Sequence, residues 1–372
     1  MLRKLKSNHS DGEKEALLVN EENTEISPAF SSPSSFSMKE ALQPTSTTKV
    51  NSSFTPFIEN DATTPHKKHG EGGHGEISIS TLNGQKVAVK QAKNSMGKEQ
   101  LKNELALLIS LQACKEVIHL VGIQLSQNGE NLLVFDFYPY NLWELILEKR
   151  DLPAGAKLNA KNAQSLIIDL LLAVAYCHDN GVIHHDIKPD NLLITADMQL
   201  KLADFGLAER CGSKPLFSTS IEGSSDYLAP EIISDIERAC IPKTLLGHNE
   251  KIDIYSIGIV VLVLTLGKTH FHVLGFDNYP DPNMNMAMSS LILSKFLKAV
   301  EEGASPSFNE KIIDPTLIYF ITQCRLVNPT QRPSAERLLI MMRTRSEKSK
   351  KEMFKHLEKD QPYDDSLFKL SR

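Results

Sequence analysis

The chain lacks most of what would mark it as fibrous, secreted or membrane-spanning. Glycine (19) and proline (18) stay near ordinary usage for 372 residues, which excludes collagen-like and low-complexity classes. Five cysteines, Cys114, Cys177, Cys211, Cys240 and Cys324, are odd in number and scattered, with no C-x-x-C pair. They spell neither a disulfide framework nor a zinc or redox motif and read as free thiols in a reducing compartment. Long apolar runs are also missing: the longest, Ile257 to Leu266, ends at Gly267-Lys268 at about half the twenty residues a membrane span needs. That run is expected to be a core helix. Positive charge is in no surplus, since 41 Lys and Arg stand against 46 Asp and Glu for a net −5, so no broad basic surface is available to a nucleic-acid backbone. The first twenty residues carry Arg3, Lys4 and Lys6 without a following apolar stretch, so no secretory signal peptide is read there. What is present, 41% hydrophobic and 23% charged residues, is a globular composition long enough for one large catalytic unit or two ordinary domains.

The chain changes character along its length. Residues 1 to 66 are rich in Ser, Thr, Asn, Glu and Pro, with Ser27-Pro28 and Ser32-Pro33 and almost no periodic apolar face. Such a segment cannot bury enough apolar area to offset its ordering entropy, and it reads as a disordered leader. From Ile77 the pattern alternates: Ile77 and Ile79 are separated by polar residues, Asn83-Gly84 follows, and Val87-Ala88-Val89 leads into Lys90. This is the pattern of a β-hairpin with a two-residue turn. Leu101, Leu105, Leu108 and Leu111 then recur at helical spacing over Lys98 to Leu111. Strand-like runs occupy Val117 to Leu125 and Asn131 to Phe137, and beyond Trp143 the reading is mostly helical, with apolar runs at Leu166 to Ala175 and Ile254 to Leu266. A small strand-rich part thus precedes a larger helical part, an α+β arrangement. Residues 346 to 372 are charged and interrupted by Pro362; they read as a surface helix with a loose end.

Several residues carry chemistry. Gly70-Glu71-Gly72-Gly73-His74-Gly75 fits G-x-G-x-x-G, whose missing side chains let backbone N–H groups approach a phosphate. A flexible linker would use the same glycines. A dinucleotide-binding crossover would need a helix directly after them, whereas a hairpin follows, which suits a lid over a nucleotide. Lys90 ends the second hairpin strand, and Glu104 stands beside the apolar face of the helix; a half-buried carboxylate there needs a partner, and Lys90 is the obvious one. The densest signal is Val182-Ile183-His184-His185-Asp186-Ile187-Lys188-Pro189-Asp190-Asn191-Leu192-Leu193-Ile194, followed by Leu200-Lys201-Leu202-Ala203-Asp204-Phe205-Gly206. Asp186 can accept or orient a hydroxyl proton, Lys188 can neutralise a migrating phosphoryl group, and Asn191 and Asp204 offer hard oxygen ligands to magnesium.

In this order the motifs resemble those of the eukaryotic-type protein kinase family, its serine/threonine branch, from about Gly70 to Met342. The resemblance implies a bilobal α+β fold: a kinase domain over 67–345, split into a β-rich N-lobe (67–138) and a helical C-lobe (139–345), between a leader (1–66) and a charged tail (346–372). It implies ATP and Mg2+ as cofactors and a protein Ser/Thr hydroxyl as acceptor. Gly70, Gly72 and Gly75 become the phosphate-covering loop, with Ile77 and Ala88 against the nucleotide. Lys90 becomes the phosphate-binding lysine and Glu104 its helix partner. Asp186 and Lys188 are the catalytic pair, and Asn191 and Asp204 the metal ligands. Phe135 falls at the gatekeeper position, which makes Asp136, Phe137 and Tyr138 the adenine-binding hinge. Ala229-Pro230-Glu231 closes the activation segment, Glu231 pairs with Arg332, and Asp253 ties a buried helix to the catalytic loop.

The chain departs from the family pattern in places. His185 stands where many members carry arginine before the catalytic aspartate. That arginine grips a phosphorylated activation segment through bidentate bonds that a neutral imidazole makes poorly. The enzyme is therefore expected not to depend on phosphorylation between Asp204 and Glu231, although Ser218, Thr219, Ser220, Ser224 and Ser225 stand there. Thr64 to His69 lacks the alternation of a first strand, and His66, His69 and His74 match no metal-ligand spacing. A pseudokinase scaffold is the alternative that these departures leave open. The setting implied is cytoplasmic, in a eukaryotic cell or in a host cell that receives a delivered bacterial kinase, with no nucleic-acid partner and no membrane span.

Overall fold

A computed structural model describes residues 57–58, 67–71, 75–126, 129–147, 158–211, 225–237, 249–276, 286–344, 353–358 and 368–369. The N-lobe is built on a six-stranded sheet: β1 (Phe57–Ile58), β2 (Lys67–Glu71), β3 (Glu76–Leu82), β4 (Gln85–Gln91), β5 (Leu120–Leu125) and β6 (Asn131–Asp136), in the order β1-β5-β6-β4-β3-β2. The β3–β4 hairpin closes through Asn83 and Gly84, whose φ values of 51° and 80° are the left-handed pair that a type I′ turn requires. The pleat then sorts β4 by parity. Val87 and Val89 join Leu132 and Val134 in one apolar layer. Ala88 and Lys90 face the other way, paired in register with Phe135 and Leu133.

Two findings extend the sequence reading of this sheet. Phe57–Ile58, within the segment expected to be disordered, pairs in parallel with β5, and Ile58 packs against the Val87 and Val89 layer. The segment Lys67–Glu71 forms a strand against β3 despite its lack of apolar alternation, with an irregularity between Lys68 and Gly70. Backbone pairing to an edge needs no buried side chain. The rest of the leader, residues 1–56 and 59–66, lies outside the described residues.

Helix α1 (Ser95–Leu111) starts three residues before its apolar period because the Asn94 side chain accepts from Gly97 N–H at 2.8 Å, as an N-cap does. It buries Leu101, Glu104, Leu107, Leu108 and Leu111, with Leu105 at the margin. The chain then passes through β7 (Tyr140–Asn141) and α2 (Leu142–Ile146) into the C-lobe. There α3 (Ala160–Asp179) opens on a capping box between Asn159 and Asn162. The catalytic stretch runs through β8 (Val182–Ile183), β9 (Leu192–Ile194), β10 (Leu200–Leu202) and β11 (Glu209–Arg210). The remaining helices are α4 (Pro230–Glu237), α5 (Lys251–Leu266), α6 (His270–Val273), α7 (Met286–Glu301), α8 (Pro315–Cys324) and α9 (Ala335–Arg343).

The apolar run at Ile257 to Leu266 is a core helix, as its length requires: every residue of α5 from Ile252 to Leu266 is buried. Gly267, at φ 66°, ends it with an N–H to Val263 O bond of 2.7 Å. Gly258 lets α8 approach, since a Cβ there would stand 2.6 Å from Cys324 Cβ. Among the described helices α3 alone is long and apolar enough to cross a membrane, and 61% of its apolar window is buried inside the fold. The charged tail holds a surprise: Met353, Phe354, His356 and Leu357 are buried, His356 Nε2 lies 3.1 Å from Thr265 O, and β13 (Phe368–Lys369) pairs with β12 (Ser307–Phe308). Residues 353–358 therefore pack as part of the C-lobe rather than as a surface helix, because three apolar residues hide within an otherwise charged stretch.

Candidate active site

The C-lobe half of the site is organised around Asp253 on α5. Its carboxylate accepts from the backbone N–H of His184 (2.9 Å) and of His185 (2.9 Å), and it meets His178 Nε2 at 2.9 Å. Burial pushes this carboxyl up, but the hydrogen bond from His178 and the surrounding imidazoles outweigh it and bring the group down to about 2. The tie from a buried helix to the catalytic loop expected from sequence is thus present. His184 is fully buried and burial pulls its imidazole below the usual range. Its Nδ1 accepts from Asp186 N–H (3.2 Å), which leaves Nε2 as the donor to Ala203 O (3.0 Å). One ring so links the catalytic loop to the residue before Asp204. Asp186 Oδ2 accepts from Lys188 Nζ and from Asn191 Nδ2, each at 2.8 Å, and Asn191 Nδ2 also reaches Asp186 O at 2.8 Å. Asp186, Lys188 and Asn191 are brought together as the spacing predicts.

The N-lobe half is held by side chains. Lys90 Nζ donates to Glu104 Oε2 at 2.6 Å and to Asp204 Oδ1 at 2.7 Å. Burial works to lower the lysine, but the Asp204 and Glu104 carboxylates override it and hold the ammonium above its ordinary range. Burial raises Glu104, opposed by the Lys90 charge and by a hydrogen bond from the Phe205 backbone. Residues 114 positions apart in sequence, Lys90 and Asp204, are thereby joined across the two lobes. Asp204 and His185 both sit at positive φ, 64° and 68°, a backbone strain of the kind that collects at functional sites.

The glycine loop is framed by the β2–β3 hairpin. Gly70 pairs with Ile77 and Glu71 with Glu76; Gly72, Gly73 and His74 lie outside the described residues. A Cβ on Gly75 would be 2.8 Å from Gln91 O, so the close approach of the two strands demands glycine there. Ile77 is the ladder partner of Lys90, and Ala88 that of Phe135. Asp136 ends β6, with Tyr138 two residues beyond, where the chain leaves the N-lobe. His119 braces this stretch: its Nδ1 is 2.9 Å from Asp136 Oδ2, and its backbone N–H reaches the Tyr138 hydroxyl at 3.5 Å.

At the far end of the activation segment, Arg332 donates to both Glu231 oxygens at 2.6 and 2.7 Å and to Leu326 O, Lys251 O and Val327 O. The expected pair is therefore a fork with its donors satisfied. Residues 212–224, which hold Ser218, Thr219, Ser220 and Ser224, lie outside the described residues, as do His66 and His74. Sequence reasoning missed Glu209. His185 Nε2 lies 3.0 Å from Glu209 Oε1 with both side chains buried. The available signal was chemical: an imidazole placed beside a catalytic loop asks for an acidic partner, and Glu209 is among the first carboxylates after Asp204.

Comparison with known proteins agrees with the geometry. A family model described as "Protein kinase domain" matches residues 64–342. The chain is 26% identical over 280 residues to "Cysteine-rich receptor-like protein kinase 14" of Arabidopsis thaliana, covering 73% of this chain and 40% of that protein. It is 30% identical over 207 residues to "Serine/threonine-protein kinase PEPKR2" of the same plant, covering 54% and 39%. It is 28% identical over 244 residues to "Carbon catabolite-derepressing protein kinase" of Saccharomyces cerevisiae, covering 64% and 35%. The chain spans about two-fifths of the length of these curated relatives.

Proposed function

The chain belongs to the protein kinase domain family, and on that premise we propose that it transfers the γ-phosphoryl group of Mg-ATP to Ser or Thr hydroxyls of proteins. One observation carries the reading: Lys90 is held at 2.6 Å from Glu104 and 2.7 Å from Asp204, so the phosphate-binding cation and a metal-binding carboxylate meet at one point. A binding scaffold has no physical need for that arrangement together with Asp186 and Asn191.

The residues present fit the cofactor. Asn191 and Asp204 offer hard oxygens of the kind magnesium takes, and Lys90 offers the charge that the α- and β-phosphates require. When bound, Mg-ATP supplies the electrophilic phosphorus and the charge neutralisation around it. The chain's own residues do the positioning. Asp186, fixed by Lys188 and Asn191, is placed to orient the acceptor hydroxyl and take its proton at a carboxylate oxygen. Lys188 sits beside that carboxylate to neutralise the group in transfer. Asp136 and Tyr138 would border the adenine through their backbone, and Gly70, Gly75, Ile77 and Ala88 would cover the nucleotide. The serine/threonine assignment rests on Lys188-Pro189 after Asp186 and on the serine/threonine kinase that the chain resembles.

We further infer that phosphorylation of the activation segment is not required. The support is the burial of the His185 side chain, whose Nε2 lies 3.0 Å from Glu209 Oε1, so that the imidazole is held inside the fold rather than presented to a phosphate. Purified protein incubated with radiolabelled ATP and a generic protein acceptor should label Ser and Thr, and Lys90→Ala and Asp186→Ala should abolish the signal. Equal labelling by wild type and Asp186→Ala would overturn the kinase reading. Phosphatase treatment should leave the rate within about twofold; its abolition, with recovery on rephosphorylation between Asp204 and Glu231, would overturn the second point.

A further inference from the structure

The two-residue strand β11, with Ala208 before it, is gripped from both lobes. On the C-lobe side β8 pairs with it, Ile183 against Glu209 and Val182 against Arg210, and His185 meets Glu209. On the N-lobe side Asn103 Nδ2 on α1 donates to Ala208 O at 2.7 Å, and Arg210 Nη2 donates to Ser110 Oγ at 3.0 Å. Ala208 is fully buried, so its carbonyl needs a donor, and Asn103 provides one from the position next to Glu104.

The spacing of these ties matters. Asn103 and Ser110 are seven residues apart, about two helical turns or 10 Å, and therefore lie on one face of α1. A helix held at one point can swing about it, whereas one held at two points along a face keeps its angle. It is at this angle that Glu104 reaches Lys90.

We propose that Asn103 is a positioning residue for phosphoryl transfer: its bond to Ala208 O, backed by the Ser110–Arg210 contact, docks α1 on β11 and so keeps Glu104 on Lys90 with no phosphate in the activation segment. The proposal rests on the kinase reading above and names how that site is kept assembled. The alternative is that Asn103 is only a polar helix residue that satisfies a nearby carbonyl and leaves the chemistry untouched.

Asn103→Leu removes the donor at similar volume; its kcat and KM are to be measured in the wild-type and Glu104→Gln backgrounds. In the wild-type background kcat should fall by about tenfold with KM for the protein acceptor unchanged; in the Glu104→Gln background the further fall should be under about twofold, because both changes act through one contact. An equal fall in both backgrounds, or none in either, would overturn the proposal. Hydrogen exchange on the same full-length proteins gives a readout independent of catalysis: amides of 99–111 should exchange faster in Asn103→Leu while those of α5 do not change. Unchanged exchange of 99–111 also overturns it. Wild type inactive in every assay would sink the kinase reading, and exchange would still decide whether Asn103 docks α1. Should Asn103→Leu not fold, Asn103→Asp, which keeps the shape and loses the donor, carries the same test.

Discussion

The two halves of the cleft are held in different ways. On the C-lobe side, Asp253 holds the catalytic loop through the buried backbone N–H groups of His184 and His185. On the N-lobe side, the contacts are made by side-chain tips: Lys90 with Glu104 and Asp204, Asn103 with Ala208, Arg210 with Ser110. A buried backbone group that loses its partner must be desolvated without compensation, so the C-lobe arrangement exists whenever the lobe is folded. An exposed tip such as that of Arg210 at Ser110 can turn to water at small cost. Asp186, Lys188 and Asn191 thus sit on a loop fixed by buried backbone bonds, while Lys90 and Glu104 sit on elements that side chains tie to the rest of the site.

The largest test concerns how far the rigid half extends. The family match ends at residue 342, yet Met353, Phe354 and Leu357 are buried in the C-lobe core. Truncation after Arg345 should lower the urea-unfolding free energy by about 5 kcal/mol, from the burial of three large apolar side chains. A truncated protein as stable as the full chain would show that the C-lobe core ends with α9.

A matched pair of amide substitutions comes next. Asp253→Asn leaves one oxygen where two accept, and turns an NH2 toward a backbone donor; it should cost about 3 kcal/mol of stability and activity with it. Glu104→Gln keeps an acceptor and its shape; it should cost under about 1 kcal/mol while lowering kcat at least about tenfold. Comparable losses of stability in the two variants would break the distinction between the halves. Asp253 also gives the comparison a pH signature. Its folded pKa of about 2 lies below the ordinary aspartate value, about 3.9, so its contribution is complete above about pH 4 and is lost as pH falls through about 2. Acid-unfolding curves of Asp253→Asn should converge on wild type at the acid end.

Much of this was legible in the sequence, and the reasons are specific. Asn83-Gly84 between alternating runs dictated the hairpin, and that hairpin placed Lys90 on the same face as Ala88. The compact run from His184 to Gly206 carried its chemistry in residue types and spacing alone. The missed features share one property: each depends on a contact whose partner is far away and individually unremarkable in type. Asn103 and Ala208 are 105 positions apart, and nothing in either residue announces the other. Glu209 reads as an exposed charge until β11 pairs with β8. The burial of Met353, Phe354 and Leu357 was hidden because a segment's average charge conceals three apolar side chains.

An effect of opposite sign is expected inside the rigid half itself, at Asp226 in the turn before Tyr227. Burial pushes its carboxyl up to about 7, against an opposing hydrogen bond from Thr269, and its Oδ1 is buried without a partner among the described residues. The sign here is the reverse of Asp253. Below about pH 4 the group is protonated in folded and unfolded chains alike and costs nothing. Between about pH 4 and 7 the unfolded chain ionises while the folded one resists, so stability declines with rising pH and levels off above about 7. Asp226→Asn mimics the protonated acid and should stabilise the protein by about 2 kcal/mol at about pH 8, with the gain vanishing at about pH 4. Urea unfolding at both pH values checks it. A gain of the same size at both would mean that the carboxylate is well solvated, and that the C-lobe side of the cleft carries no ionisation cost at this turn.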